Sequence, residues 1–107
     1  MIRRLADKHP VAPQPGVLRA VVGSTEHMTV VEVALQAGIE TPLHQHPHEQ
    51  VTYVVRGSVQ FRSEQGASFV LAAGESCDFG PKVWHSAEAL TDVLLLDSFY
   101  PARDDLI

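Results

Sequence analysis

The chain has 107 residues and a formal net charge of -5, from 13 acidic and 8 basic side chains. This length suits one domain with its own core and is too short for two domains of ordinary size. The acidic balance argues against binding to nucleic acid or to an anionic membrane surface, and leaves a small molecule as the expected partner. No apolar stretch is long enough to cross a bilayer, and Cys77 is the only cysteine. A cytoplasmic protein without an intrachain disulfide is therefore expected.

Residues 1–16 carry three prolines and Gly16. Because proline fixes φ and removes a backbone donor, this segment is predicted as an N-terminal arm or edge strand. From Val17 onward, short runs rich in β-branched residues alternate with turn residues at intervals of roughly 8 to 12 residues, which is typical of a sandwich or barrel. We therefore predict a single all-β domain over residues 17–107, folded as a small antiparallel jelly-roll barrel.

The apolar runs predict strands in chain order, and no window shows a helical period. The predicted strands cover residues 17–22, 28–36, 51–55, 59–62, 68–71, 77–79, 84–90 and 93–99. In the second strand, the face carrying Thr29, Val31, Val33 and Leu35 is predicted to point into the core. The third and fourth strands are separated only by a short segment around Gly57, which predicts a β-hairpin.

Three of the six histidines lie within five residues, between the second and third predicted strands. Imidazole is the side chain that most often binds a divalent metal at neutral pH. In an extended segment, residues two apart point to the same side, so His44 and His46 can face one pocket. Pro47 turns the chain before the next strand, which leaves His48 near the rim. His85, far downstream, is a further candidate ligand.

The third strand supplies the remaining candidate ligand. Gln50 shares a face with Thr52 and Val54, whereas Glu49 lies on the opposite face with Tyr53. We therefore predict Gln50, rather than the more basic Glu49, as the fourth protein ligand of the metal. Glu49 is expected to be a surface carboxylate or a partner for an imidazole N–H group.

The spacing of the cluster resembles the first motif of the cupin superfamily. That motif is matched by Gly38, five residues, His44-x-His46, three residues, Gln50, six residues and Gly57. The position of Gln50 is usually Glu in cupins. Because three imidazoles and an amide are all neutral, the substitution leaves the full charge of a bound ion, which favours an anionic substrate.

The second cupin motif can be followed from Gly74 through Pro81 to His85, although Lys82 stands where glycine is common. The resemblance spans about residues 17–99 and implies a jelly-roll barrel, commonly in a homodimer. It also implies one divalent transition metal, which can be nickel, zinc, manganese, iron or cobalt. The implied ligands are His44, His46, Gln50 and His85.

The last strand carries a second group of polar residues. Asp97 and Phe99 share a face, and Arg103 lies within reach of the same end. If that face lines the barrel, Asp97 can act as general base or acid, Phe99 as an apolar wall and Arg103 as a clamp on a carboxylate. The alternative is a structural pair of Asp97 with Arg103 beside a core Phe99.

An Asp-x-Phe-x-x-x-Arg ending with a His-Pro-His-Glu-Gln first motif is similar to small cupins of pectin and alginate breakdown. Those cupins convert unsaturated uronates to linear keto forms. The resemblance implies metal-assisted proton transfer on a sugar acid or a related enol or keto acid. Two alternatives are an iron-dependent dioxygenase, because three histidines also suit iron, and a non-catalytic ligand-binding or sensing module.

Three other side chains are expected to have structural roles. Cys77 is predicted as a small core residue, because it has no neighbouring base in sequence. Trp84 is predicted to pack on the face opposite His85. Glu40 is expected to be a surface carboxylate or, like Glu49, to orient an imidazole.

Overall fold

The computed structural model describes residues 1–106, except for the side chain of Gln65. Ile107, the last residue of the predicted domain, lies outside the described residues. The strands are β1 (Val17–Ser24), β2 (Thr29–Leu35), β3 (Glu49–Arg56), β4 (Ser58–Ser63), β5 (Ser68–Ala72), β6 (Ser76–Phe79), β7 (His85–Ala89) and β8 (Val93–Tyr100). Short 3₁₀ turns cover Leu5–Asp7, Glu64–Gly66 and Asp104–Leu106.

The strands form two antiparallel sheets that face each other. The larger sheet has the order β1-β2-β8-β3-β6, and the smaller has the order β5-β4-β7. The non-consecutive neighbours in both sheets are those of a jelly roll. The predicted all-β jelly-roll fold is therefore confirmed.

The hydrophobic core lies between the sheets and is built from alternate residues of each strand. In β2, Thr29, Val31 and Leu35 are buried. Val33, on the same predicted face, is half-buried and packs against the core. The buried core cluster comprises Val17, Leu35, Val54, Val59, Phe61, Phe79, Ala87, Ala89, Val93 and Leu95.

The inward face of the larger sheet changes from apolar to polar along its length. In β8, Leu95 belongs to the core, and Asp97 is the next residue on the same face. In β3, Val54 belongs to the core and is preceded on its face by Thr52. The register pairs Val54 with Leu95 and Thr52 with Asp97. One end of the barrel is therefore filled with apolar side chains, while the other end is lined with polar ones.

The predicted hairpin around Gly57 is wrong. β3 pairs with β6 and β8 in the larger sheet, whereas β4 pairs with β5 and β7 in the smaller one. Gly57 carries the chain across from one sheet to the other with a φ of 86°. A Cβ atom at this position would overlap the backbone carbonyl oxygen of Asp92. Glycine is therefore required at position 57 because the chain crosses between the sheets there, and not because it forms a hairpin turn.

The N-terminal segment lies along the edge of the larger sheet that β1 forms. Val11 forms a backbone bridge with Arg19 of β1, with N–O distances of 2.8 Å in both directions. The Nζ atom of Lys8 lies 3.2 Å from a carboxylate oxygen of Glu32. Within residues 1–106, no helix combines the length and the apolar character that crossing a membrane requires.

Replacement of Gly57 by alanine should strongly destabilise the fold. Gly74 is the matched control, because it also has a positive φ, of 90°, but has no heavy atom within 4 Å of an added Cβ. Gly74→Ala should cost about 1–2 kcal/mol, the strain of a left-handed conformation alone. Gly57→Ala should cost at least about 2 kcal/mol more, because it also displaces backbone. Denaturant unfolding measures both costs, and equal costs would contradict the close approach to Asp92.

Candidate metal centre

Three histidine side chains converge at the polar end of the barrel. His44 and His46 lie on the segment between β2 and β3, and His85 is the first residue of β7. The backbones of His44 and His85 are tied by two hydrogen bonds, with N–O distances of 3.0 and 2.9 Å. One ring nitrogen from each of the three histidines lies within 4.8 Å of the others. Their convergence, which the resemblance to the cupin motifs implies, forms a possible metal site.

Backbone carbonyls select the tautomer of all three rings. The pairs are His44 Nδ1 with Pro42 O at 2.9 Å, His46 Nδ1 with His48 O at 3.1 Å, and His85 Nδ1 with Val83 O at 2.8 Å. Because a carbonyl oxygen only accepts, a neutral ring must carry its proton on Nδ1 and leave the Nε2 lone pair free. The Nε2 atom of His85 is buried and has no hydrogen-bond partner in the described part of the chain.

The side-chain oxygen of Gln50 faces the same point. Its Oε1 atom lies 2.9 Å from His46 Nε2, and its Nε2 atom donates to Thr52 Oγ1 at 2.8 Å. When the proton of His46 is on Nδ1, its Nε2 atom and Gln50 Oε1 are both hydrogen-bond acceptors and repel each other. A cation bound to both atoms would remove this repulsion. Three imidazole nitrogens and one amide oxygen suit a divalent transition metal. The residues present therefore fit the ion that the sequence resemblance implies.

Burial keeps two of the rings neutral. It lowers the pKa of His85 to about 4, against a smaller opposing effect of its hydrogen bond to the Val83 carbonyl. Burial also lowers the pKa of His46. Because a metal binds only the neutral ring, these two ligands need no deprotonation at neutral pH.

Asp97 lies beside the histidines and is only 9% exposed. Thr52 Oγ1 donates a hydrogen bond to its Oδ1 atom at 2.6 Å. Burial raises the pKa of Asp97 to about 6, although the hydrogen bond from Thr52 opposes the rise. The carboxyl group can therefore change protonation state close to neutral pH, as a general acid or base must.

Arg103 follows the end of β8 and stacks over the ring of Phe99. Its guanidinium carbon lies 4.8 Å from the centre of the Phe99 ring. Its Nε and Nη2 atoms donate to the two carboxylate oxygens of Asp105 at 3.0 and 2.8 Å. The alternative structural pairing of Arg103 with Asp97 is not formed in the described part of the chain, where the ion-pair partner of Arg103 is Asp105. Phe99 itself is buried, at 5% exposure.

A cavity of about 390 Å³ connects these groups. Its volume is within the range of small-molecule sites. The predicted site residues that line it are His44, Gln50, His85, Asp97, Phe99 and Arg103. A larger groove of about 830 Å³ is lined by Trp84 and Leu43, among others, but not by His44, His46 or His85. The inner cavity is therefore the candidate site.

Other predicted residues lie outside this cavity. His48 is half-buried, with its ring centre 5.4 Å from that of His46. Glu40 forms a surface ion pair with Arg62 at 3.1 Å, and Glu49 is exposed. Since backbone carbonyls hold all three imidazoles, both glutamates are surface carboxylates.

Cys77 has the structural role predicted for it, whereas Trp84 is more exposed than predicted. Cys77 packs against the core, and burial raises the pKa of its thiol to about 12, so it is not a reactive thiolate. Trp84 lies on the outer surface and is 43% exposed, so it is less packed than predicted. Thr52 and Asp105 also belong to the site, although neither is among the residues predicted for it. Strand parity placed Thr52 beside Gln50, but only the β3–β8 register brings it to Asp97.

Replacement of Asp97 by asparagine should stabilise the metal-free protein at high pH. Because the pKa of Asp97 is raised on folding, ionisation opposes folding above about pH 6, by up to about 3 kcal/mol. The gain from Asp97→Asn should be largest at pH 8 and shrink as the pH falls from 6 towards 3.8. Thermal unfolding measures it. Asp105→Asn is the control and should give no gain, because Arg103 lowers the pKa of Asp105 to about 2. A less stable Asp97→Asn protein at pH 8 would contradict this account.

The comparisons with known proteins agree with the geometry. No curated protein matches the chain. An RmlC-like cupin from Shewanella frigidimarina is 31% identical, with a TM-score of 0.91 over 98% of this chain and 94% of that one. KdgF from Halomonas sp. is also 31% identical, with a TM-score of 0.90 over 97% of both chains. A predicted oxalate decarboxylase from Thermotoga maritima, 21% identical with a TM-score of 0.78 over 94% of this chain and 99% of that one, shares the fold. The family model described as a cupin domain matches residues 31–99, and the chain belongs to the cupin family.

Proposed function

We propose that this cupin is a metal-dependent enzyme that moves a proton within a sugar acid or a related enol or keto acid. The observation that carries the proposal is the position of Asp97. Its carboxyl group, whose pKa is raised to about 6, lines the same cavity as His44 and His85. Arg103 lines that cavity too. The cavity therefore brings together a possible metal site, a group that can carry a proton and a fixed positive charge.

The metal would be held by the imidazoles and the amide already described. The ligands are His44, His46, His85 and Gln50. When bound, nickel, zinc, manganese, iron or cobalt would supply a Lewis acid that polarises substrate oxygens. Because all four protein donors are neutral, the site would retain a positive charge that attracts an anionic substrate.

Arg103 supplies the carboxylate specificity. A guanidinium presents paired donors that match the two oxygens of a carboxylate. Asp105 already occupies the guanidinium in this way, with bonds of 2.8 and 3.0 Å. A substrate carboxylate can take up the same geometry in place of Asp105, and the face of Phe99 holds the guanidinium at the cavity wall.

Asp97 carries the proton. Conversion of an enol to a ketone removes a proton from oxygen and adds one to carbon, so the isomerisation consumes no second substrate. A carboxyl group with a pKa near 6 can donate one proton and accept the other at neutral pH. The Thr52 hydroxyl donates a hydrogen bond to the Oδ1 atom of Asp97. This bond fixes the orientation of the carboxyl group in the cavity.

Two observations support unsaturated uronates as the first substrates to test. The Asp97-x-Phe99-x-x-x-Arg103 ending resembles that of the cupins that ketonise unsaturated uronates. The chain also aligns with KdgF over 97% of both chains. We expect the enzyme to be a homodimer, and the exposed apolar side chains of Val51 and Tyr53 on the outer sheet face are compatible with a partner subunit.

One other chemistry fits the ligand set. Three neutral imidazoles around an ion with open positions also suit iron and oxygen, so a dioxygenase is the second candidate. It requires oxygen, whereas proton transfer does not. An assay of the iron-loaded protein with and without oxygen therefore separates the two reactions.

Asp97→Asn should abolish turnover of an unsaturated uronate without loss of metal. Removal of a general acid or base typically lowers the rate by about 10²- to 10⁴-fold. Metal analysis of untagged protein should give the same content for the variant and the wild type. Arg103→Lys is the companion variant, and it should mainly raise KM because the paired donors are lost.

Three results would contradict the proposal. Wild-type turnover by Asp97→Asn protein would remove Asp97 from the mechanism. Turnover that stops without oxygen would favour the dioxygenase. Tight binding of the uronate by the metal-loaded wild type, with no product formed, would favour a ligand-binding or sensing module.

A further inference from the structure

We propose that Thr52 is a positioning residue that holds the amide of Gln50 with its oxygen, rather than its NH2 group, towards the metal. Asp97 sets the direction of this hydrogen-bond chain. The inference rests on the metal site of the proposed function, because it concerns how one of the ligands of that site is prepared.

The four side chains form a continuous row inside the barrel. Gln50 Oε1 lies 2.9 Å from His46 Nε2, and Gln50 Nε2 lies 2.8 Å from Thr52 Oγ1. Thr52 Oγ1 lies 2.6 Å from Asp97 Oδ1. Thr52 is 0% exposed, and Gln50 and Asp97 are also buried. Water is therefore not a competing partner for the threonine hydroxyl.

The chemistry of the groups fixes the direction of the row. A carboxylate only accepts, so the single hydroxyl proton of Thr52 goes to Asp97. The hydroxyl oxygen can then only accept a hydrogen bond from Gln50, so Gln50 must donate from its NH2 group. This orientation leaves Oε1 pointing at the three imidazoles. An amide turned the other way would present N–H groups to the ion and could not bind it.

The same reasoning explains why an amide suits position 50. A glutamate would face the Thr52 oxygen with an acceptor, and that hydroxyl has no second proton to give. Two buried acceptors at hydrogen-bond distance repel each other. The carboxylate of Asp97 therefore favours glutamine over the glutamate that cupins usually carry at this position.

The test is a double-mutant cycle between positions 50 and 52, with Ni²⁺ as the probe. Thr52→Val and Thr52→Ser are made in the wild type and in Gln50→Glu, and Ni²⁺ affinity of metal-free, untagged protein is measured by calorimetry at pH 8. Thr52→Val should weaken binding by about 10- to 100-fold, as loss of a group that orients a ligand commonly does. Thr52→Ser keeps the hydroxyl and should stay within about threefold of the wild type.

In the Gln50→Glu protein, Thr52→Val should cause no loss of Ni²⁺ affinity, because either carboxylate oxygen can face the ion. An equal loss in both backgrounds, or an equal loss in the serine variant, would show that Thr52 acts through general packing and would overturn the inference. Unchanged affinity in Thr52→Val would overturn it too. Failure of the wild type to bind Ni²⁺ would instead count against the metal site itself.

A second measurement needs no variant at position 52 and guards against a valine protein that fails to fold. In the Zn²⁺-loaded wild type, nuclear magnetic resonance should show a Gln50 side-chain NH2 group whose exchange with solvent is slowed by its bond to Thr52. Rapid exchange of both amide protons would overturn the inference.

Discussion

The site depends on the register between β3 and β8. This register places Thr52 opposite Asp97 and Gln50 opposite Phe99 on the inward face of the larger sheet. A shift of one residue would turn all of these side chains outwards, because neighbouring residues of a strand point to opposite faces. The apolar pairing of Val54 with Leu95, two residues further along, makes such a shift costly. The packed core thus fixes the geometry of the polar end.

The two ends of the barrel have opposite effects on stability. The apolar end buries side chains such as Val59 and Leu95, which stabilises the fold. The polar end buries Asp97 and leaves the Nε2 atom of His85 without a partner among residues 1–106, and both features oppose folding. A protein keeps such groups where they serve a ligand or a reaction. The shared cavity beside Arg103 is consistent with that use.

Much of this arrangement could be predicted from the sequence, for a physical reason. Strand parity groups His44 with His46, Gln50 with Thr52 and Asp97 with Phe99 on shared faces, and the cupin resemblance adds His85. Strand parity does not indicate which strands pair. The predicted hairpin around Gly57 is wrong for this reason, because the two strands beside it belong to different sheets. Thr52 and Asp97 are 45 residues apart, so their contact also could not be predicted without knowing the strand pairing. The Arg103–Asp105 pair lies outside the strands, where no alternation predicts side-chain direction.

The function proposed for this cupin requires that three imidazoles and the Gln50 amide oxygen bind one metal ion. The most direct measurement is a crystal structure of the untagged, metal-loaded protein with anomalous scattering recorded at the metal edge. We expect a single anomalous peak at about 2.0–2.3 Å from Nε2 of His44, His46 and His85 and from Oε1 of Gln50. A peak elsewhere, no peak, or an ion bound to the histidines with the NH2 group of Gln50 turned towards it would contradict the account.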